Sequence, residues 1–239
     1  MDSIKGLIFD YGGTIDTNGV HWSEVIWKQY CNAGTGIDKE TFRDAYIHGE
    51  RTLAMKPIIE PIDTFRTLLT KKIAIQFDYL RLNHCCEKLT TDMEKAVAEG
   101  CYARVLETIG KARTIIKELG KSYPMVLVTN FYGNMEVVLE EFGLNGIFKS
   151  IVESSIVGIR KPDPRLFALG TESLGMAPED IVVIGDSYKK DIFPATTLGC
   201  KTVWIKNVCW EEEHITADHE PTFIINDISE LPIVMEKFK

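Results

Sequence analysis

Gly6-Leu7-Ile8-Phe9-Asp10-Tyr11-Gly12-Gly13-Thr14 is the stretch that decides the fold. Its apolar start is too short for a helix and reads as a buried strand. Asp10 then follows at once on a glycine-rich turn. A strand that ends on a carboxylate in this way places it where a nucleophile would sit.

Working outward, five further β-rich runs follow, at Met125–Thr129, Ser150–Glu153, Ile181–Gly185, Lys201–Ile205 and 222–225. Between them Val105, Leu106, Ile109, Ile115, Ile116 and Leu119 recur at helical spacing, as do Met135, Val138, Leu139 and Phe142 before Gly143. Strands alternating with such helices predict an α/β fold, a Rossmann-like doubly wound parallel sheet. Residues 17–101 differ: they hold no clear β run and show amphipathic spacing at Phe65, Leu68 and Leu69 and again at Tyr79, Leu82 and Leu89. The expected organisation is a core of residues 1–16 and 102–239 with an inserted all-helical cap domain, 17–101. Pro57 and Pro61 predict a helix break or substrate-facing loop near Lys56 to Glu60. The two crossings between cap and core are expected to flex near Asp16 to Gly19 and near Gly100 to Arg104.

The 239 residues, 45% hydrophobic and 26% charged, are enough for a core plus a smaller module. A net charge of −8 argues against nucleic acid or an anionic membrane as the main partner. The start Met1-Asp2-Ser3-Ile4-Lys5 and the lack of eighteen consecutive apolar residues predict no signal peptide or membrane span, and a cytoplasmic protein. Cys31, Cys85, Cys86, Cys101, Cys200 and Cys209 lack zinc-type spacing and read as reduced packing residues. His21, His48, His84, His214 and His219 form no metal-binding pair and are expected at the surface or behind a site.

The strand ends carry the chemistry. Asp10 follows the first, Thr129-Asn130 close the second, Lys161-Pro162-Asp163-Pro164 follow the third, and Gly185-Asp186-Ser187-Tyr188-Lys189-Lys190-Asp191 close the fourth. In a doubly wound sheet these ends meet at one crevice. Carboxylates, a lysine, a hydroxyl and free backbone amides are the parts needed to hold a phosphoryl group and a hard cation. Ser187, Asp163 and Asp16 read as turn or capping residues.

This set, in order and at suitable separations, resembles the haloacid dehalogenase superfamily of Asp-nucleophile hydrolases, in the branch with a helical cap after the first motif. The resemblance covers nearly the whole chain. It implies that Asp10 attacks phosphorus to form an aspartyl-phosphate that water then releases. It also implies Mg²⁺ held by Asp10, the Gly12 carbonyl and Asp186, phosphate oxygens bound by Thr129 and the Asn130 amide, and Lys161 offsetting the negative charge. Asp191 would orient Lys161 or a metal-bound water.

The sequence departs from the family's phosphatases at Gly12, where they carry a second aspartate that protonates the leaving oxygen and activates water. Three functions therefore stay open. One is a phosphatase for a small phosphorylated metabolite, with a good leaving group or with its acid replaced by a cap side chain, Asp16 or water. Another is a phosphonatase-like C–P hydrolase using Lys56 as an imine-forming lysine. The last is a non-catalytic protein that binds metal and phosphate, or a protein partner. Trp22, Trp27, His21, His48 and Arg51 are candidates to line the substrate pocket. The sequence does not fix the oligomeric state.

Overall fold

The computed structural model describes residues 4–84, 86, 88–209 and 217–238; Cys85 and His214 lie outside the described residues. The strands are β1 (Gly6–Phe9), β2 (Met125–Thr129), β3 (Ser150–Glu153), β4 (Ile181–Gly185), β5 (Lys201–Ile205) and β6 (Phe223–Ile225). The helices are α1 (Trp22–Asn32), α2 (Lys39–Met55), α3 (Phe65–Asn83), α4 (Thr91–Leu119), α5 (Met135–Glu141), α6 (Ser154–Val157), α7 (Arg165–Leu174), α8 (Phe193–Thr197) and α9 (Leu231–Glu236).

All strand pairs are parallel, in the order β3-β2-β1-β4-β5-β6. The chain starts in the middle, builds outward through β2 and β3, then returns across β1 to build β4 to β6. The order therefore reverses at β1, and a crevice opens at the carboxyl ends of the strands beside it. Apolar runs suit this sheet because both of its faces are covered. Leu7, Phe9, Leu127 and Val182 enter the large core, whereas Ile8, Val126, Val128 and Val183 enter the smaller one on the other face.

Among its described residues the stretch between β1 and β2 holds α1 to α4 and no strand. His21, Asp38, Thr64 and Thr90 each cap a helix by accepting a backbone N–H. α2 stops at Met55 and Lys56 is extended, the conformation favoured before proline. The expected break at Pro57 is therefore present.

α4 runs without interruption through position 101, burying Val97, Ala98 and Cys101 with its first half and Val105, Ile109 and Ile116 with its second. One helix thus serves both the insertion and the crossover to β2. Gly100 lies inside this continuous helix beside the Gln29 side chain of α1, where a flexible crossing was expected. Tyr11, just after β1, packs edge-on against Phe65 of α3 and Phe131 after β2, with ring centroids 6.1 and 5.7 Å apart. This aromatic group joins the insertion to the sheet beneath the crevice.

Cys101 and Cys200 are buried packing residues as expected, but Cys31 is exposed. No described helix is long and apolar enough to cross a membrane.

Candidate active site

Asp10 continues the β1 ladder, its N–H donating to Ile184 O at 2.9 Å, and then the chain reverses through Gly12 and Gly13. Gly13 has φ +99°, and a Cβ there would fall 2.3 Å from Asp186 Oδ2. Only glycine fits this position. The reversal brings Thr14 Oγ1 to 3.1 Å from both Asp10 Oδ2 and Asp186 Oδ1, so one hydroxyl ties the ends of β1 and β4 together.

Lys161 Nζ lies 2.6 Å from Asp10 Oδ1 and 2.6 Å from Asp191 Oδ1. Asp191 is anchored in turn by the Ser187 N–H, which donates to its Oδ2 at 3.1 Å. The lysine is held from behind by Asn130, whose Oδ1 accepts the Lys161 N–H at 2.9 Å and whose Nδ2 donates to the Lys161 carbonyl at 3.2 Å. The Asn130 side chain is thus engaged in fixing Lys161. Thr129 is buried and its Oγ1 has no hydrogen-bond partner. An unmet buried hydroxyl is costly, and an incoming oxygen would satisfy it.

Asp10, Asp186 and Asp191 offer carboxylate oxygens within 4.8 Å of one another. Burial pushes Asp10 above the ordinary carboxylate range despite the pull of Lys161. Burial, then repulsion from Asp191 and Asp10, pushes Asp186 well above it. Burial would strip Lys161 of its proton, but Asp10 and Asp191 outweigh that and hold it firmly as a cation. One lysine faces three carboxyl groups, two of which burial disfavours as anions until a cation joins them. An all-oxygen donor set with surplus negative charge suits a hard divalent cation such as Mg²⁺.

These groups open into a cavity of about 540 Å³ whose other wall comes from the helical insertion. Gly12 lines it, and a Cβ at Gly12 would meet nothing within 4 Å. His21 and Trp22 line it as expected, whereas Trp27, His48, Arg51 and Lys56 do not. Trp27 packs on Phe42, and His48 stacks on Tyr79 with ring centroids 4.4 Å apart. The 56–60 loop therefore does not face the site. Its place is taken by the inner faces of α2 and α3.

Asp16 is more than the turn residue its neighbourhood suggested. It is fully buried in the cavity wall, accepting the Gly13 N–H at 2.7 Å and the Trp22 indole N–H at 3.0 Å. Burial raises it to about 7 in spite of those two hydrogen bonds. His21 is held down at about 4 by burial and by Lys190 nearby, so it is neutral.

Sequence reasoning missed Tyr46, Glu50, Lys72 and Tyr132, which also line the cavity. The signal for Lys72 was its place on an apolar stripe with Phe65, Leu68, Leu69 and Ile73, where a solvated lysine does not belong. Glu50 and Tyr132 carried no comparable sign.

An aspartate at the end of the central strand, paired with a buried lysine under a helical insertion, defines a doubly wound α/β protein with an aspartate-centred site. The chain belongs to the haloacid dehalogenase-like hydrolases, the family whose model matches residues 4–199. Among curated proteins it is 26% identical to a glyceraldehyde 3-phosphate phosphatase of Pyrococcus furiosus over 57% of each chain. It is 25% identical to the pyrophosphatase PpaX of Bacillus velezensis over 95% of this chain and 94% of that one. The chain spans 57% of the length of the Pyrococcus furiosus phosphatase, and 43% and 34% of two further relatives. Among solved structures, a dehalogenase in an intermediate complex superposes with a TM-score of 0.64 at 17% identity, covering 98% of both chains. A phosphatase of Thermococcus onnurineus gives 0.52 at 20% identity, covering 97% of this chain and 98% of that one. At such identities the structural likeness speaks for the fold alone.

Proposed function

We propose that this hydrolase is a Mg²⁺-dependent, cytoplasmic phosphatase of a small phosphorylated metabolite, with residues 17–101 acting as a cap over the site. The observation that carries the reading is the unpartnered Thr129 hydroxyl in one cavity with the Asp10–Lys161 pair. The phosphatases among its relatives favour the same chemistry.

In this reading an Asp10 carboxylate oxygen forms a bond to phosphorus as the bond to the leaving oxygen breaks. Water then attacks phosphorus, the phosphorus–Asp10 bond breaks, and inorganic phosphate leaves with Asp10 regenerated. Thr129 donates its free hydroxyl to a phosphoryl oxygen, and Lys161 supplies a fixed positive charge beside the reacting carboxylate. Asp191 and Asn130 position that lysine. Mg²⁺, held by Asp10, the Gly12 carbonyl and Asp186, would offset charge on the phosphoryl oxygens when bound. Position 12 has no proton to give the leaving oxygen, so substrates with good leaving groups should be favoured.

Imine chemistry is poorly served here. The insertion's cavity-lining lysine is Lys72, not Lys56, and it is paired with Glu50 at 2.7 Å. An ammonium so held cannot act as the neutral amine that an imine requires.

The test is phosphate release from p-nitrophenyl phosphate with Mg²⁺, alongside Asp10→Asn and acid-quench trapping of labelled protein. Turnover and label that both vanish in Asp10→Asn are expected. Turnover that persists in Asp10→Asn overturns the mechanism, and metal binding without turnover favours a binding role.

A further inference from the structure

The Glu50–Lys72 pair is an unusual use of charge. Lys72 Nζ lies 2.7 Å from Glu50 Oε1, with the lysine side chain 7% exposed and the glutamate 35%. Tyr132, from the sheet side, sits beside both: its hydroxyl is 3.4 Å from Glu50 Oε2 and its ring centroid 5.4 Å from Lys72 Nζ. Burying the lysine of such a pair costs desolvation that the attraction of a part-exposed glutamate does little more than offset. This one stands in the wall of the cavity that also holds Asp10.

Burial favours the neutral form of Glu50, but Lys72 more than reverses this and keeps it ionised below its ordinary range. Lys72 is held as a cation by Glu50 and Tyr132 against its own burial. The pair therefore presents a permanent donor next to a permanent acceptor, with no net charge. An ammonium has three protons and a carboxylate about four lone-pair sites, so the pairing leaves capacity on both.

We infer that the Glu50–Lys72 pair is the specificity subsite for the far end of the substrate and selects a hydroxyl group, making the preferred substrate class phosphorylated polyols or sugars. A hydroxyl accepts from Lys72 and donates to Glu50 at the same time. A second anion on the substrate would meet the Glu50 carboxylate, and an amine would meet the Lys72 ammonium. A bare alkyl chain would leave both groups partly desolvated without a new partner, which is how a polar subsite rejects it. Trp22, Tyr46 and Tyr132 supply flat apolar surface for the carbon skeleton. The exposed Arg160 and Lys190 at the mouth attract any phosphate ester and so do not discriminate between these classes.

The inference rests on the phosphatase reading, so the experiment separates the two. Asp10-dependent hydrolysis of p-nitrophenyl phosphate reads the chemistry. Ribitol 5-phosphate, pentyl phosphate and 5-carboxypentyl phosphate read the subsite, through kcat/KM and through calorimetric binding, which needs no turnover. The wild-type protein should prefer the polyol ester to the pentyl ester by about ten- to a hundredfold, the usual range for one hydrogen bond to a charged group. In the double variant Glu50→Leu/Lys72→Met that ratio should fall towards one. If the double variant does not fold, Glu50→Gln should lower the ratio in the same direction. Equal use of the polyol and pentyl esters by the wild type overturns the inference, as does a preference for the carboxylate ester or a ratio unchanged in the variants. Loss of p-nitrophenyl phosphate turnover with selective polyol binding intact would overturn the phosphatase reading alone.

Discussion

Replacing Gly12 with aspartate tests the account of this site most directly. A Cβ at position 12 meets nothing within 4 Å, and Gly12 is not among the glycines with positive φ. The position also faces the cavity. The first side-chain carbon can therefore be added without displacing backbone or side chain. Burial and the nearby Asp10 and Asp186 would disfavour its ionised form, which suits a proton donor. A positioned general acid or base contributes about 10²–10⁴-fold, or about 3–5 kcal/mol of barrier. Gly12→Asp should raise kcat/KM for an alkyl phosphate by roughly that range and change p-nitrophenyl phosphate far less, because p-nitrophenolate leaves without a proton. The assay is phosphate release from both esters with Mg²⁺, with Asp10→Asn and Gly12→Asp/Asp10→Asn as controls. An unchanged or lower alkyl rate in a variant that melts like the wild type would refute the claim that a missing acid limits this enzyme.

Gly13→Ala should do the opposite of its neighbour: the new Cβ lands 2.3 Å from Asp186 Oδ2 at φ +99°, so loss of about 1–3 kcal/mol and of turnover is expected in thermal melts and assays. Lys161→Met strands Asp10 and Asp191, each at 2.6 Å from the lost ammonium, and should cost about 3–5 kcal/mol in urea unfolding at pH 7. That deficit should shrink at pH 5, where the stranded carboxyls take up protons more readily. Asp16 titrates at about 7 in the folded chain against 3.8 in a free side chain, so its folded form keeps a proton that the unfolded form gives up. Its contribution is present below about pH 4 and lost as pH rises towards 7, by about 4 kcal/mol if nothing relaxes. The stability of Asp16→Asn relative to wild type should therefore improve steadily over pH 4 to 7, and parallel curves for the two proteins would contradict the assignment. His21 has the opposite slope, being held neutral down to about 4, but it is common to both proteins and cancels in the difference.

The sequence by itself determined the sheet and which polar residues meet at its strand ends. Strand positions followed from apolar runs buried on both faces, and their number and order of appearance required a parallel doubly wound arrangement. Asp10, Thr129, Lys161 and Asp186 were legible because each stands within a short distance of a strand end, and strand ends converge whatever the detailed packing. Asp191 was legible for the same reason. Tertiary structure decided the rest. The role of Asp16 depends on a chain reversal that tucks it under the Gly13 amide and the Trp22 indole. Gly100 looked like a joint and lies instead inside the continuous α4, because local composition does not reveal that one helix runs through the crossing. The 56–60 loop was expected at the site because a proline-flanked loop looks accessible in sequence, whereas the insertion's residues that line the cavity with Asp10 lie mostly on the faces of α2 and α3. Glu50 and Lys72 are 22 positions apart on different helices. Periodicity marks one face of each helix as buried, but only the packing of α2 on α3 sets those two charges side by side.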